Sequence, residues 1–356
     1  MIEISTLYFF ISFASLSAVL MQITKPKLTK YLKGLTGVFF LLPLFYFLVN
    51  RNIPKLGNDL SQYLRYYDNI MDTNYLIVYF LKDFDIGFYG LMYLSKTIGI
   101  TPNGFFYLIL ALCIFLFVCA LNNLFVKPYE FISSILLFLS SASFFLVLSN
   151  VIRQGLSFAI LIYILSSTKK NSLLRIFMVF THKGAVLFFL KDIFSAINYS
   201  KRVFLIIISL TVSMVTPKLL LIFSKAFDLK MIEFYLNAFE RASAQNSIIK
   251  VSILILTNIF FINFEKHFKK SHIQKRLYNT YFIFTLFTLL FFSIDGIFSR
   301  LNIYCSLLSL PIFIFINSYI KKPYRSYYFI GLILFNLIYS MYVLNHPSIW
   351  YNLGLS

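Results

Sequence analysis

Seven long stretches of this chain carry no Asp, Glu, Lys or Arg, and they constrain its fold more than any other feature. A helix needs about 20 apolar residues to span a bilayer, and most of these stretches are about that long. In addition, 59% of the residues are hydrophobic and only 13% are charged, whereas a soluble domain has about 25% charged residues. The sequence therefore predicts an all-α polytopic integral membrane protein and excludes a soluble enzyme. The stretches are Ile4–Thr24, Gly34–Asn50, Thr97–Val126, Phe131–Ile152, Leu277–Ile294, Leu301–Ile320 and Ser326–Ser356.

The excess of basic residues is explained by the membrane and does not require a nucleic acid. The chain has 32 Lys and Arg against 13 Asp and Glu, which in a soluble protein would indicate nucleic-acid binding. In a membrane protein, Lys and Arg instead mark the cytoplasmic loops, so we predict no nucleic-acid partner. The three cysteines lie inside apolar stretches and indicate neither a disulfide framework nor a metal site. We therefore expect no cofactor. They are Cys113, Cys119 and Cys305.

The basic clusters also predict which loops face the cytoplasm. Four lysines within residues 25–33 place that segment inside and the N-terminus outside. Counting crossings from there places two large loops outside, 51–102 and 224–250. The first of these includes a segment, 86–100, that is too short and too polar to span, and we expect it to form a helix at the outer membrane surface.

One further segment, 172–198, is too rich in charge for a simple span. The basic loops on either side of it require an even number of crossings, so we predict a broken, re-entrant hairpin with its tip near His182–Gly184. Such breaks occur at membrane depth where they are buried in protein or line a wet cavity. The total is about ten transmembrane helices plus this hairpin, with the C-terminus also outside, in a single domain over 1–356.

Three arginines lie at predicted outer ends of spans, where the preference of Lys and Arg for cytoplasmic loops does not explain them. Arg153, followed by Gln154, begins an apolar helix, and Arg300 does the same, with Tyr304 one turn later. Arg51 follows the second span. An arginine near a helix end can reach the lipid headgroups. A fixed guanidinium also suits a phosphate or diphosphate, so we consider these residues candidate anion ligands.

Two titratable residues are candidates for proton transfer. His182 lies beside Lys183 and Gly184 at the predicted tip of the hairpin. A histidine in apolar surroundings is usually a hydrogen-bonded core residue, but an ionisable pair at membrane depth also indicates function, and histidine titrates near neutrality. Asp59 could serve as a base or bind a sugar hydroxyl, or it could simply cap a helix.

The first outer loop carries further candidates. Asp83-Phe84-Asp85 resembles a metal-binding Asp-x-Asp pair, although so short a pattern is common by chance. Tyrosines such as Tyr63 crowd the same loop. They fit the aromatic belt at a membrane surface, and they also fit stacking against sugar rings.

Taken in order, these motifs resemble the EpsG/Wzy-type family of bacterial polysaccharide repeat-unit polymerases. The resemblance covers roughly residues 35–200, and beyond them only Arg300…Tyr304 and the general topology match. Asp85 stands where the family tends to have Glu. The motifs that carry the resemblance are Arg51…Gly57-Asn58-Asp59…Tyr63, Asp85-Ile86-Gly87-Phe88-Tyr89, Ile152-Arg153-Gln154 and Phe180-Thr181-His182-Lys183-Gly184-Ala185.

The resemblance implies a polymerase with a GT-C-like architecture in the bacterial cytoplasmic (inner) membrane. Both substrates would be oligosaccharides on undecaprenyl diphosphate, and the growing glycan would be transferred to the non-reducing end of an incoming unit. The catalytic residues would be His182, Asp59 and Arg153, without a metal. Substrate would be bound by Arg51, Arg300, Gln154, Tyr63, Asp85 and Tyr304. The partners would be membrane lipids, a chain-length regulator and a flippase.

Other functions remain open at this point. A flippase or transporter of lipid-linked sugars would also use a cationic cavity and broken helices, but such proteins usually show paired repeats, and the two halves of this chain show no convincing match. Another lipid-phosphate-dependent glycosyltransferase or ligase fits the same residues. A membrane O-acyltransferase would also use a buried histidine, but no second catalytic pair is apparent.

Overall fold

The computed structural model describes residues 4–24, 30–50, 59–71, 85–168, 171–197, 199–226 and 244–345. Over these ranges the chain is helical and contains no strand, which confirms the all-α prediction. The helices are α1 Ile4–Thr24, α2 Lys30–Asn50, α3 Asp59–Asn69, α4 Ile86–Thr97, α5 Pro102–Leu124, α6 Pro128–Leu139, α7 Ala142–Ser149, α8 Ile152–Ser166, α9 Ser172–Thr181, a 3₁₀ helix Lys183–Ala196, α10 Tyr199–Ser213, α11 Thr216–Ala226, α12 Ala244–Asn263, α13 Glu265–Phe268, α14 His272–Leu290, α15 Asp295–Tyr319, a 3₁₀ turn Lys322–Tyr324 and α16 Arg325–Leu344.

Five helices in the described part of the chain are long and apolar enough to cross a membrane. The number rises to seven if two bent pairs, α6 with α7 and α10 with α11, each form one span. The predicted count of about ten is therefore not confirmed. The difference arises partly from helices such as α8, whose 15 residues extend about 22 Å, less than the ~30 Å hydrocarbon core of a bilayer.

The chain divides into two compact units. The first comprises residues 1–185 and 313–356, and the second comprises residues 186–312. At the centre of the first unit lies α8, in which every residue except Arg153 and Tyr163 is buried. A helix that is apolar on all sides lies in a protein core or in lipid, and the burial of α8 shows that it is surrounded by protein. Helices α5 and α9 pack against α8, and α9 also packs against α4.

The break between α6 and α7 is stabilised by side chains from α16. The two helices bend by 71° at Ser140 and Ser141, so backbone groups there leave the helical hydrogen-bond pattern. Asn336 Nδ2 donates to Ser140 Oγ at 2.7 Å. Ser340 Oγ donates to the Ser140 carbonyl at 2.8 Å and accepts from the Ala142 N–H at 3.1 Å. Broken helices in lipid require such partners, and this break leads directly through α7 to the start of α8.

In the second unit, a buried arginine links three helices. Arg202 on α10 is 1% exposed, and its Nη2 donates to Asn279 Oδ1 on α14 at 2.8 Å. Its Nε lies 3.6 Å from a carboxylate oxygen of Glu265 on α13, and its guanidinium lies over the rings of Tyr278 and Phe282. Since all of these contacts join helices of the second unit to one another, we assign this arginine a structural role.

Candidate functional site

Arg153 is held at a sharp reversal between α7 and α8. Asn150 ends α7, and its Oδ1 accepts from the backbone N–H of Leu60 at 3.4 Å, which brings the first turn of α3 to the same place. A Cβ atom added to Gly155 would lie 2.5 Å from the Val147 carbonyl oxygen. The first turn of α8 therefore lies directly against the backbone of α7, and this contact fixes the position of Arg153.

The guanidinium of Arg153 contacts a carboxylate and two phenols. Its Nη1 lies 2.7 Å from Asp85 Oδ2 and donates to the Tyr89 hydroxyl at 3.2 Å. Its Nε donates to the Tyr63 hydroxyl at 2.9 Å, and its Cζ lies 4.7 Å from the centroid of the Tyr63 ring. These partners come from α3 and from the start of α4, so the arginine joins three segments that are distant in sequence.

Asp85 connects Arg153 to the segment that carries His182. The aspartate precedes α4 and is 2% exposed. Its Oδ1 accepts from the backbone N–H of Lys183 at 3.0 Å, and its Oδ2 lies 3.8 Å from His182 Nδ1. The second distance is that of an electrostatic contact, since it exceeds the range of a hydrogen bond.

The environment of Asp85 favours its ionised form. Burial acts to raise the pKa of the carboxyl, but the His182 imidazole, the charge of Arg153 and the N–H of Lys183 together outweigh burial and hold the pKa of Asp85 below its ordinary value. The carboxylate is therefore charged at neutral pH and balances the charge of Arg153.

His182 lies at the break between α9 and the 3₁₀ helix that follows. Its backbone is extended, with φ −155° and ψ 117°, and the residue is buried. The end of α9 is held on both sides. Ser157 Oγ on α8 donates to the Met178 carbonyl at 3.1 Å, and a Cβ atom on Gly87 of α4 would lie 3.1 Å from the Phe180 backbone. The chain thus breaks where two short helices were predicted to meet, while the re-entrant path of the segment stays a prediction.

The structure brings four of the predicted site residues together in the first unit: Tyr63, Asp85, Arg153 and His182. We call these four residues, with Tyr89, the ionic cluster. Gln154 is fully buried beside Arg153. Asp59 is the first residue of α3, one turn before Tyr63, and is half-buried.

The other predicted site residues are placed elsewhere or are not described. Arg300 and Tyr304 both lie on α15 within the second unit, where Tyr304 is buried and stacks on Phe284 at 4.8 Å between ring centroids. Arg51 and Asp83 lie outside the described residues, as does most of the predicted loop 224–250. Among the residues that the structure describes, no group of three His, Cys, Asp or Glu is arranged to hold a metal ion.

Two members of the site were not selected from the sequence. Tyr89 was one of many tyrosines in the outer loop, yet it follows Asp85 by four residues, the spacing at which side chains meet on one face of a helix. The second is the backbone N–H of Lys183. No sequence pattern marks it, because any residue after His182 would supply it.

These features define a polytopic helical membrane protein with a buried ionic cluster assembled from four segments. The sequence model of the EpsG family matches residues 34–353. Since that match covers most of the chain, the protein belongs to the EpsG family, and the resemblance noted from its motifs is confirmed. Membership suggests a function of the polysaccharide-polymerase type. A search of curated proteins found no match to the chain, and a search of solved structures found none either.

Proposed function

We propose that this protein polymerises undecaprenyl-diphosphate-linked oligosaccharide repeat units at the outer face of the bacterial cytoplasmic membrane. In this reaction, a hydroxyl oxygen at the non-reducing end of the incoming unit forms a bond with the anomeric carbon of the growing glycan. The bond between that carbon and the diphosphate oxygen breaks. The hydroxyl proton goes to a base on the protein, and undecaprenyl diphosphate leaves with the electron pair.

The ionic cluster is the observation that carries this proposal. Ionisable groups are costly at membrane depth and are usually functional there. This cluster places a histidine and an ionised carboxylate next to an arginine in a chain that is otherwise largely apolar. Within a family of the polysaccharide-polymerase type, such a group provides what glycosyl transfer needs, namely a base and fixed charge.

The predicted base and the predicted arginines have defined roles in this reaction. A base must take the hydroxyl proton, and we assign this step to His182 in preference to Asp59. The diphosphate requires preorganised positive charge as it leaves, for which Arg51, Arg153 and Arg300 are the candidates. Guanidinium groups supply that charge without a metal.

The proposal includes the predicted membrane arrangement. It requires a GT-C-like bundle of about ten spans with a re-entrant hairpin around His182, and outer loops that hold the sugars. Both termini would lie outside. A flippase would deliver the substrate, and a chain-length regulator would limit the product.

The test is incubation of the purified protein in nanodiscs with lipid-linked repeat units alone. A ladder of lipid-linked products, formed without nucleotide sugar or added metal, is the expected result. His182→Ala should abolish the ladder. The matched control is His272→Ala, because His272 is an exposed histidine at the start of α14. If the folded protein binds the substrate but makes no ladder, the proposal is wrong, and translocation of the substrate would identify the protein as a transporter.

A further inference from the structure

We infer that Asp85 is the positioning residue for His182, and that Arg153 acts on the reaction through Asp85 and not by binding the diphosphate. This inference rests on the proposed function and extends it, since it assigns the proton-accepting atom. That atom is Nε2 of His182. When the ring proton is on Nδ1, the nitrogen that faces Asp85, Nε2 is the ring atom that carries the lone pair.

The first argument is that Asp85 is attached to the backbone that carries the imidazole. Its Oδ1 accepts from the N–H of Lys183, the peptide group directly after His182. Its other oxygen, Oδ2, faces Nδ1 of the same histidine. A carboxylate tied to the chain in this way limits how the ring can rotate. The 3.8 Å separation needs to close by less than 1 Å to form a hydrogen bond, and contacts of this kind are often long before substrate binds.

The second argument concerns charge. The Arg153 guanidinium is paired with Asp85 at 2.7 Å and hydrogen-bonded to two tyrosines. Since the carboxylate balances its charge, Arg153 offers little net positive charge to a leaving diphosphate. Its contacts instead hold Asp85 in place.

The third argument concerns the titratable and charged groups that the described residues place around the pair. The titratable and charged groups around it come from α3, α4 and α8 and from the segment after α9. The tyrosines among them are neutral at ordinary pH, so a change in the charge of Asp85 is felt chiefly by His182 and Arg153. Arg153 contacts Tyr63 and Tyr89, and Tyr66 packs against Tyr89. The exposed Lys183 follows His182, and Asp59 lies one turn before Tyr63 on α3.

A neighbouring carboxylate has a defined effect on a histidine base. It favours the tautomer with the proton on Nδ1 and stabilises the imidazolium that forms when Nε2 takes a proton. Asp85→Asn removes this charge but keeps the size of the side chain, and it leaves the Arg153 guanidinium without the carboxylate that balances it. Asp85→Glu retains the charge on a side chain that is one methylene longer.

The kinetic test compares the wild type with Asp85→Asn, Asp85→Glu, His182→Ala and the double variant Asp85→Asn/His182→Ala. All are full-length proteins in nanodiscs, supplied with lipid-linked repeat units. For Asp85→Asn we expect kcat to fall about 100-fold while substrate binding changes little. The acid limb of its pH–rate profile should move to lower pH. Asp85→Glu should recover part of the rate, and the double variant should be no slower than His182→Ala alone.

Two results would overturn the inference. One is an Asp85→Asn protein with the wild-type pH profile. The other is a double variant in which the losses of the two single variants multiply, because Asp85 would then act independently of His182. If the wild type itself makes no ladder, the proposed function fails, and the kinetic arm does not address the inference.

A spectroscopic arm therefore tests the position of the ring without activity. The chain has four histidines, so nitrogen-15 NMR of histidine-labelled protein is tractable, with His182 assigned by the His182→Ala variant. The wild type should show His182 with its proton on Nδ1, and Asp85→Asn should show a mixture of tautomers. The same tautomer in both proteins would contradict the positioning role of Asp85, whatever reaction the protein carries out.

Discussion

The Asp85 carboxylate and the Arg153 guanidinium form an ion pair of 2.7 Å, with 3% and 13% of the two side chains exposed. Withdrawing both charges from water is costly, and a well-packed apolar pair would often serve stability equally well. The pair is therefore better explained by what it positions than by its strength. It joins the start of α4 to the start of α8, next to the break that carries His182.

Removal of Arg153 should destabilise the protein. Arg153→Ala leaves the Asp85 carboxylate buried without its charged partner, and breaking a buried pair in this way costs about 3 kcal/mol. The measurement is the free energy of unfolding in micelles, by titration with a denaturing detergent. Arg65→Ala is the matched control, because Arg65 is exposed on α3 and surface substitutions usually change stability by less than about 0.5 kcal/mol.

The double variant Arg153→Ala/Asp85→Asn separates the charge from the packing. Removal of both charges should recover much of the lost stability. A double variant as unstable as the sum of the two single variants would show that the two side chains do not interact.

The contribution of Asp85 to stability should depend on pH. Its pKa is lower in the folded protein than the ordinary value, so the unfolded chain binds the proton more tightly. The stabilisation is then complete at neutral pH and is lost as the pH falls below about 4 and through the folded pKa. The melting temperatures of wild type and Asp85→Asn should differ by a constant amount from neutral pH down to about pH 4. Below that pH the two melting temperatures should converge.

The exposed Asp68 on α3 provides the control for this comparison. Asp68→Asn should track the wild type at every pH. If the difference in melting temperature between wild type and Asp85→Asn grows as the pH falls, the pH dependence is opposite to the one predicted. That result would contradict an ion pair between Asp85 and Arg153.

The sequence was sufficient to predict the membrane class and most members of the ionic cluster. Arg153 was marked as an arginine at the predicted outer end of a span, where the preference of basic residues for cytoplasmic loops does not explain it, and His182 was marked as an ionisable residue at membrane depth. The sequence did not predict that Asp85 lies between Arg153 and His182, since spacing along the chain does not specify which helix ends meet. That arrangement depends on close contacts at Gly87 and Gly155, which become visible only once the helices are packed.

The span count was harder to predict for a related reason. Hydropathy does not distinguish a helix buried in protein from one that crosses lipid, and α8 is apolar on nearly every side within only 15 residues. The bend after α6 was also missed. Ser140 and Ser141 interrupt an apolar stretch, and the partners that make a break tolerable there, Asn336 and Ser340, lie near the other end of the chain.

Loss of the Ser340 hydroxyl should weaken the bend between α6 and α7. Ser340→Ala removes one partner from the Ser140 carbonyl and one from the Ala142 N–H, and leaving buried backbone groups unpaired costs about 2 kcal/mol. The free energy of unfolding in micelles measures the effect. Ser318→Ala is the control, because Ser318 Oγ donates only within its own helix, to the Phe315 carbonyl. Equal stability of the two variants would mean that the bend is satisfied in another way.

A single methyl group at Gly155 should disturb both stability and the ionic cluster. The Cβ atom of Gly155→Ala would lie 2.5 Å from the Val147 carbonyl oxygen, so α7 and α8 must move apart, at a cost of about 2 kcal/mol. Because Arg153 is two residues away, its contacts with Asp85 and Tyr63 should loosen as well.

In Gly90→Ala, by contrast, the new atom would meet nothing within 4 Å, and alanine favours a helix over glycine by about 1 kcal/mol. Thermal unfolding should therefore place Gly155→Ala below the wild type and Gly90→Ala at or above it. If the two variants unfold at the same temperature, the close approach of α7 and α8 at Gly155 is not what fixes the start of α8.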